Sequence, residues 1–322
     1  MYILGLGGSN HDFSACLVKD GEIRCMIEDE RITRKKNGKG LGLQLAKGFS
    51  LNYCLKAEGI DIDQVDMIVA NDIINKVMYK RLNKKVEMMN HHLAHAASSY
   101  YVSQMNEAAI LVLDAVGSKN LQNNKYESGS YGVGTGKEIR FLGKVEGYNY
   151  PETDYVENSL GIFYSIITEI IGFGEHQEGK TMGLAPYGTS KYYHLIKRYI
   201  RYTGKGQIEM KMEDIKALLE LKKMVAEVKG EEKQFELKAD LAWAAQTILE
   251  ELIMDMCRYV KVETKMDNIC LAGGIVLNSV ANYKLYKEKL FKNIFIPPAC
   301  GDNGTSIGSA LYGYHCLQGN IG

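Results

Sequence analysis

The chain has 322 residues, 46% of them apolar, with 39 Lys and Arg set against 39 Asp and Glu for a formal net charge of zero. That is enough apolar residue for two packed lobes, and it excludes an overall basic field that would draw the chain to nucleic acid or to an anionic membrane. No apolar run reaches the ~18 residues of a membrane span. The N-terminus enters a strand with no basic leader before it, and the seven cysteines are scattered without a Cys-x-x-Cys pair. Together these features point to a cytoplasmic protein with reduced thiols.

In chain order, Tyr2 to Gly7 reads as a strand, Phe13 to Val18 as a second, and Asp20-Gly21 as a hairpin turn into a third at Ile23 to Ile27. A helix is expected over Gln44 to Glu58, strands at Met67 to Ala70 and Val86 to Met89, and a helix capped by Asn90 running through Tyr101. The strand pattern then returns at Ala109 to Leu113, Ser130 to Val133 and Ile139 to Val145. Leu17-Val18-Lys19-Asp20-Gly21-Glu22-Ile23-Arg24 matches Val133-Gly134-Thr135-Gly136-Lys137-Glu138-Ile139-Arg140 in its pattern of strand, turn and strand. Two such units, each followed by helices, predict a duplicated α/β protein with a cleft between the copies. Lys211 to Lys238 reads as solvated helical scaffold, and Leu241 to Val260 as an amphipathic helix with the lone Trp243 in a core. The last block reads as a strand at Ile269 to Leu271, a helix from Asn278 to Lys289, a strand at Ile294 to Ile296 and a helix from Gly304 to Tyr314.

The strongest local signal for chemistry is Asn90-His91-His92-Leu93-Ala94-His95, which holds three of the seven histidines. On a helix His91 and His95 are four residues apart and share one face, so both rings can reach one metal ion. No glutamate follows the first histidine, which leaves a His-Glu-x-x-His protease without its base. Asp114 ends an apolar strand and Asp302 lies in a loop before a helix, both positions from which a carboxylate can enter a cleft. Two imidazoles with one or two carboxylates suit iron(II), with manganese and zinc as the alternatives.

Three glycine-bearing segments are candidate turns for a phosphate. Gly5-Leu6-Gly7-Gly8-Ser9-Asn10 follows a strand but has Asn10 where a dinucleotide fingerprint has its third glycine. Ala272-Gly273-Gly274-Ile275 lies between a strand and a helix. Glu178 to Gly188 places Lys180 among glycines, and no Walker A pattern is present.

Taken in order, His91-His92-Leu93-Ala94-His95-Ala96-Ala97, Leu113-Asp114, Lys180-Thr181-Met182-Gly183-Leu184-Ala185-Pro186-Tyr187-Gly188, Leu271-Ala272-Gly273-Gly274 through Asn278, and Gly301-Asp302 resemble the O-carbamoyltransferases of nodulation, cephamycin and tobramycin-type antibiotic biosynthesis. His11-Asp12 with Ser14-Ala15, and Glu28 through Arg34, are similar as well. The resemblance implies an α/β fold of duplicated actin-like (ASKHA, ribonuclease H-like) domains, related to the tRNA threonylcarbamoyl transferases. A first lobe would span 1–110, completed by a final helix at 304–322, and a second would span 111–303. By the same resemblance His91, His95, Asp114 and Asp302 hold a divalent metal. Glu178, Lys180, Gly273, Gly274 and Asn278 hold an adenine nucleotide, and His11 and Asp12 lie at the reaction centre.

The implied activity is transfer of a carbamoyl group from carbamoyl adenylate, made from ATP and carbamoyl phosphate, to a small-molecule hydroxyl in natural-product biosynthesis. Full-length members of the family continue with a YrdC-like domain that makes the adenylate. This chain stops at Gly322, where Gly319-Asn320-Ile321-Gly322 reads as a frayed end, so a separate YrdC-like protein is expected as partner. The alternative is a noncatalytic nucleotide-binding subunit that regulates or scaffolds a carbamoylation complex, a role that needs no histidine pair.

Overall fold

The computed structural model describes residues 1–150, 153 and 155–318; Gly319-Asn320-Ile321-Gly322 lie outside the described residues. The first sheet begins with β1 (Tyr2–Gly7), β2 (Ser14–Lys19) and β3 (Glu22–Glu28), where Asp20 and Gly21 both take positive φ (50° and 89°). Two successive residues of that kind give the turn that matches strand twist in a tight hairpin. The short helix α1 (Asp29–Thr33) and α2 (Phe49–Glu58) follow, then β4 (Met67–Asn71) and β5 (Val86–Met89). The helix expected over Gln44 to Glu58 is broken in two. Gly48 sits at φ 59°, closing a 3₁₀ segment, Gly42–Lys47, before α2 begins. Asp29 is fully buried, and one of its oxygens accepts from Ser50 N at 2.9 Å in the first turn of α2.

After α3 (His91–Ser103) the strand pattern repeats as β6 (Glu107–Leu113), β7 (Tyr126–Thr135) and β8 (Glu138–Gly147). Then come α4 (Leu160–Ile170), α5 (Glu178–Leu184), α6 (Tyr193–Lys197), β9 (Arg201–Gly204), β10 (Gln207–Glu209), α7 (Met212–Glu227) and α8 (Glu231–Thr264). The chain closes with β11 (Asn268–Ala272), α9 (Ser279–Lys287), β12 (Asn293–Phe295) and α10 (Thr305–Cys316). The first five-stranded sheet has the order β3-β2-β1-β4-β5 and the second β8-β7-β6-β11-β12. In both, the first three strands are antiparallel and the last two join in parallel beside the first. The repeat glimpsed around Asp20-Gly21 and Gly136-Lys137 is therefore a repeat of a whole sheet.

Two helices lie between the sheets. Ala94 of α3 and Ala310 and Leu311 of α10 pack with Ile3, Val18 and Val69 of the first sheet. Ala96 and Tyr100, further along α3, pack with Ile110, Val112 and Cys270 of the second. Small residues make this possible. A Cβ at Gly308 of α10 would lie 1.8 Å from the Ala94 carbonyl oxygen, and one at Gly5 of β1 would lie 2.0 Å from that of Ser306. Gly5 and Gly7, read from sequence as part of a phosphate turn, are thus strand residues whose missing side chains admit α10.

The outer face of the second sheet is covered by α4, α7 and α8, whose buried Ile162, Phe163, Ile215, Leu241, Ile248 and Leu252 form the largest core. The 34-residue α8 is about 50 Å long at 1.5 Å per residue. It begins well before the expected Leu241, because its early turns have Leu237 to bury. Trp243 is only half-buried, its ring edge-on to Tyr193 at 6.3 Å, so it flanks this core and does not fill it. Among the described residues, no helix is long and apolar enough to cross a membrane.

Candidate functional site

The Asn90 side chain accepts from Leu93 N at 2.9 Å, satisfying one of the free amides at the start of α3 and fixing where the helix begins. His91 and His95 then fall one turn apart, both completely buried between the sheets. Their Nε2 atoms lie 3.1 Å from each other. The chain leaves β6 at Asp114, whose Oδ2 is 3.0 Å from His91 Nε2 and 3.6 Å from His95 Nε2. Asp302 heads the 3₁₀ turn that leads into α10, and its Oδ1 is 3.5 and 3.4 Å from the same two nitrogens. One donor atom from each of these four buried residues lies within 4.8 Å of all the others.

Such a group is costly without a cation. Two carboxylates out of water repel each other unless a positive charge sits between them. Burial lowers the His91 pKa, but Asp302 and Asp114 outweigh it and push that imidazole up to about 10. Burial raises both carboxylates, yet the two histidines hold Asp114 and Asp302 below their usual range, Asp302 far below. The alternative to a proton is a metal ion bound by both imidazole lone pairs and the carboxylates, and this donor set fits one. His92 lies apart from this set. Its Nδ1 is 2.7 Å from Ser130 Oγ and 3.6 Å from Glu127, and burial holds its pKa well below the ordinary histidine value.

His11 and Asp12 stand on the loop between β1 and β2, with His11 Nδ1 within hydrogen-bond distance of Asp12 Oδ2 at 3.0 Å. The His11 pKa is raised: burial lowers it, but the bond to Asp12 and the charges of Asp302, Asp12 and Asp114 prevail. Opposite stands His176, its ring edge against His11 at 4.4 Å between centroids, and Lys39 pairs with Glu175 beside it. Sequence reasoning missed His176, which has no periodic or motif signal around it.

Gly273 leaves β11 at φ 101°, and a Cβ there would lie 2.1 Å from the Leu113 carbonyl. This close approach lets Gly274 N face Asp114 Oδ1 at 3.4 Å, so the glycine turn lies directly against the histidine–aspartate group. Asn278 is buried with its amide already engaged. It exchanges hydrogen bonds with Gln246 at 2.9 and 3.0 Å and accepts from Ala281 N at the start of α9. The segment from Glu178 to Leu184, expected as a flexible turn, is the helix α5; Gly179 and Gly183 lie within it because their neighbours Thr181 and Leu184 have burial to gain. Glu178 there accepts from Ser165 Oγ at 2.7 Å, and Lys180 is exposed with its ammonium over the Phe173 ring at 5.7 Å.

Two like sheets enclosing a buried pair of histidines and pair of aspartates define the class: an α/β protein of actin-like (ASKHA) fold with a candidate metal centre between its two sheets. Full-length HypF in its phosphate- and nucleotide-bound form is similar in fold, with a TM-score of 0.64 and 14% identity over 99% of this chain and 56% of that one. The chain belongs to the carbamoyltransferase family, matching the family described as carbamoyltransferase N-terminus over residues 2–87 and 73–311. It is 30% identical to an uncharacterised protein of Synechocystis over 98% of this chain and 57% of that protein. It is 28% identical to the nodulation protein NolNO of Sinorhizobium fredii over 94% of this chain and 46% of that protein. The chain thus spans about half the length of the curated relatives it matches.

Proposed function

We propose that the chain is the transferase unit of an O-carbamoyltransferase: it moves a carbamoyl group from carbamoyl adenylate to the hydroxyl of a small molecule in natural-product biosynthesis. The observation that carries this reading is the convergence of His91, His95, Asp114 and Asp302 within 4.8 Å, in a chain of the carbamoyltransferase family.

A carbamoyl group is a poor electrophile because its nitrogen donates into the carbonyl, and a mixed anhydride with AMP supplies the leaving group it lacks. The adenylate would lie between the lobes against Gly273-Gly274, where bare backbone allows close approach of a phosphate. His91, His95, Asp114 and Asp302 would hold a divalent ion, iron(II) by the donor set and otherwise manganese or zinc. Such an ion supplies Lewis acidity toward an oxygen of the bound donor. Asp12 orients His11 through Nδ1, leaving Nε2 to take the proton of the acceptor hydroxyl. The hydroxyl oxygen then bonds to the carbamoyl carbon as the bond to the AMP oxygen breaks. We further propose that a separate YrdC-like protein makes the adenylate, that the setting is the cytoplasm, and that Glu178, Lys180 and Asn278 belong with Gly273 and Gly274 to the nucleotide site.

The test supplies purified chain with preformed carbamoyl adenylate and a panel of sugar hydroxyl acceptors, following AMP release and acceptor mass. In parallel, carbamoyl phosphate and ATP are supplied with and without a stand-alone YrdC-like protein, following pyrophosphate. Transfer from the preformed adenylate, without pyrophosphate release by the chain alone, is the expected result. Robust pyrophosphate release by the chain alone refutes the division of labour, and failure to release AMP from the adenylate with any acceptor refutes the transferase reading.

A further inference from the structure

We infer that Asn71 is a positioning residue for the metal centre: it fixes which nitrogen of His91 is free to bind the ion. The inference rests on the metal-centre reading above, and on a hydrogen-bond pattern that leaves one solution. Asn71 is the last residue of β4 and is completely buried. Its Nδ2 lies 2.9 Å from the carbonyl oxygen of Gly8 and 3.0 Å from Thr305 Oγ1. Its Oδ1 lies 3.2 Å from Ile73 N and 3.3 Å from His91 Nδ1.

An amide can be placed in either of two orientations, but here the backbone decides between them. The Gly8 carbonyl only accepts, so the atom facing it must be the NH₂ group. The Ile73 amide only donates, so the atom facing it must be the oxygen. His91 Nδ1 therefore meets an acceptor and must carry the hydrogen. In a neutral imidazole that leaves the lone pair on Nε2, the nitrogen facing His95, Asp114 and Asp302.

The second histidine has no such support, since His95 Nδ1 is buried without a hydrogen-bond partner among the described residues. Asn71 also ties the centre to its surroundings. Thr305 Oγ1 donates to the Asp302 carbonyl at 2.5 Å, and Gly8 N bonds to the same carbonyl at 3.1 Å. One side chain thus links β4, the loop carrying His11, the Asp302 turn and α3.

Two substitutions separate positioning from packing. Both Asn71→Asp and Asn71→Leu lose the donors to Gly8 and Thr305, so both lower the melting temperature. Only Asn71→Leu also loses the acceptor for His91. Zinc affinity, measured by competition with a chromophoric chelator, is expected to fall roughly 10- to 100-fold in Asn71→Leu and to be largely kept in Asn71→Asp. In wild type labelled with ¹⁵N-histidine and loaded with zinc, His91 should show a slowly exchanging proton on Nδ1. Equal loss of affinity in the two variants, undiminished affinity in Asn71→Leu, or a His91 proton on Nε2 would each overturn the inference. A wild-type protein that binds no zinc, manganese or iron(II) would instead overturn the metal centre itself, and this inference with it.

Discussion

His91 Nε2 and His95 Nε2 stand 3.1 Å apart on one face of α3, closer than two like-protonated nitrogens can rest without something between them or a shared proton. The same two atoms face carboxylates delivered by the exits of β6 and of the loop before α10. Removing one imidazole should therefore cost most of the site's hold on a metal. His95→Ala, purified without a metal-binding tag, is expected to retain less than about a tenth of the wild-type metal content by elemental analysis, because a four-donor set loses a whole ligand. Equal metal content in the two proteins would contradict the assignment of all four ligands.

The charges of the site also predict how the metal-free protein responds to pH. His91 holds its proton more tightly when folded, with a pKa raised from 6.5 to about 10. Stability from that proton is complete below pH 6.5 and is lost as pH rises toward 10. Asp114 and Asp302 are depressed when folded, so their contribution is present above 3.8 and is lost as pH falls through their lower folded values. Chelator-treated protein should melt at progressively lower temperature between pH 6.5 and 10. A His91→Gln variant should show a flatter profile over that range. An equally steep decline in the variant would place its origin elsewhere in the molecule.

Adjacent glycines should respond differently. A Cβ at Gly273 would lie 2.1 Å from the Leu113 carbonyl on a backbone with φ 101°, so Gly273→Ala should destabilise the fold by roughly 2 kcal/mol or more. At Gly274 the nearest atom is Asp114 Oδ1 at 3.3 Å, so Gly274→Ala should fold. Calorimetry with AMP or ATP is expected to show weaker binding to Gly274→Ala than to wild type, since the methyl group occupies space a phosphate would use. Unchanged nucleotide affinity would leave this turn a purely structural feature.

For His11 the separation to seek is between chemistry and metal. His11→Asn keeps a polar group beside Asp12 and touches none of the four donors, so metal content should match wild type. Carbamoyl transfer from preformed adenylate should fall by about 10²- to 10⁴-fold, the usual worth of a general base. In wild type, transfer should rise with pH through a midpoint above 6.5, because the His11 pKa is raised and only the neutral ring takes a proton. A variant that keeps the wild-type rate and pH profile would remove His11 from the reaction.

The parts of this architecture legible in the sequence are those set by local spacing. A spacing of four positions from His91 to His95 puts both rings on one helical face wherever the helix lies. The Asp20-Gly21 and Gly136-Lys137 turns marked a repeat because hairpins are local events. Asp114 was visible as the end of an apolar run. What escaped depends on neighbours distant in the chain. Asn71 was cut from its strand by one residue, and its partners Gly8, His91 and Thr305 come from three other segments. Glycines at 179 and 183 looked like a loop but form a helix, since tertiary packing of Thr181 outweighs the roughly 1 kcal/mol each glycine costs. Trp243 was assigned to a core on composition alone, while its place beside Tyr193 is set by α6.

The position of α10 has a consequence for how the molecule is born on the ribosome. The apolar face of β1 and β4 that α10 covers, with Ile3 and Val69, is synthesised more than two hundred residues ahead of the helix. At about 5–20 residues per second, that face waits some 10 to 50 seconds for its cover. Asp302 emerges in the same late stretch, so the fourth donor reaches His91, His95 and Asp114 only as the two sheets are locked together. A nascent chain halted before α10 would display bare sheet to chaperones and bind metal poorly, and completion of the fold and completion of the site would be one event.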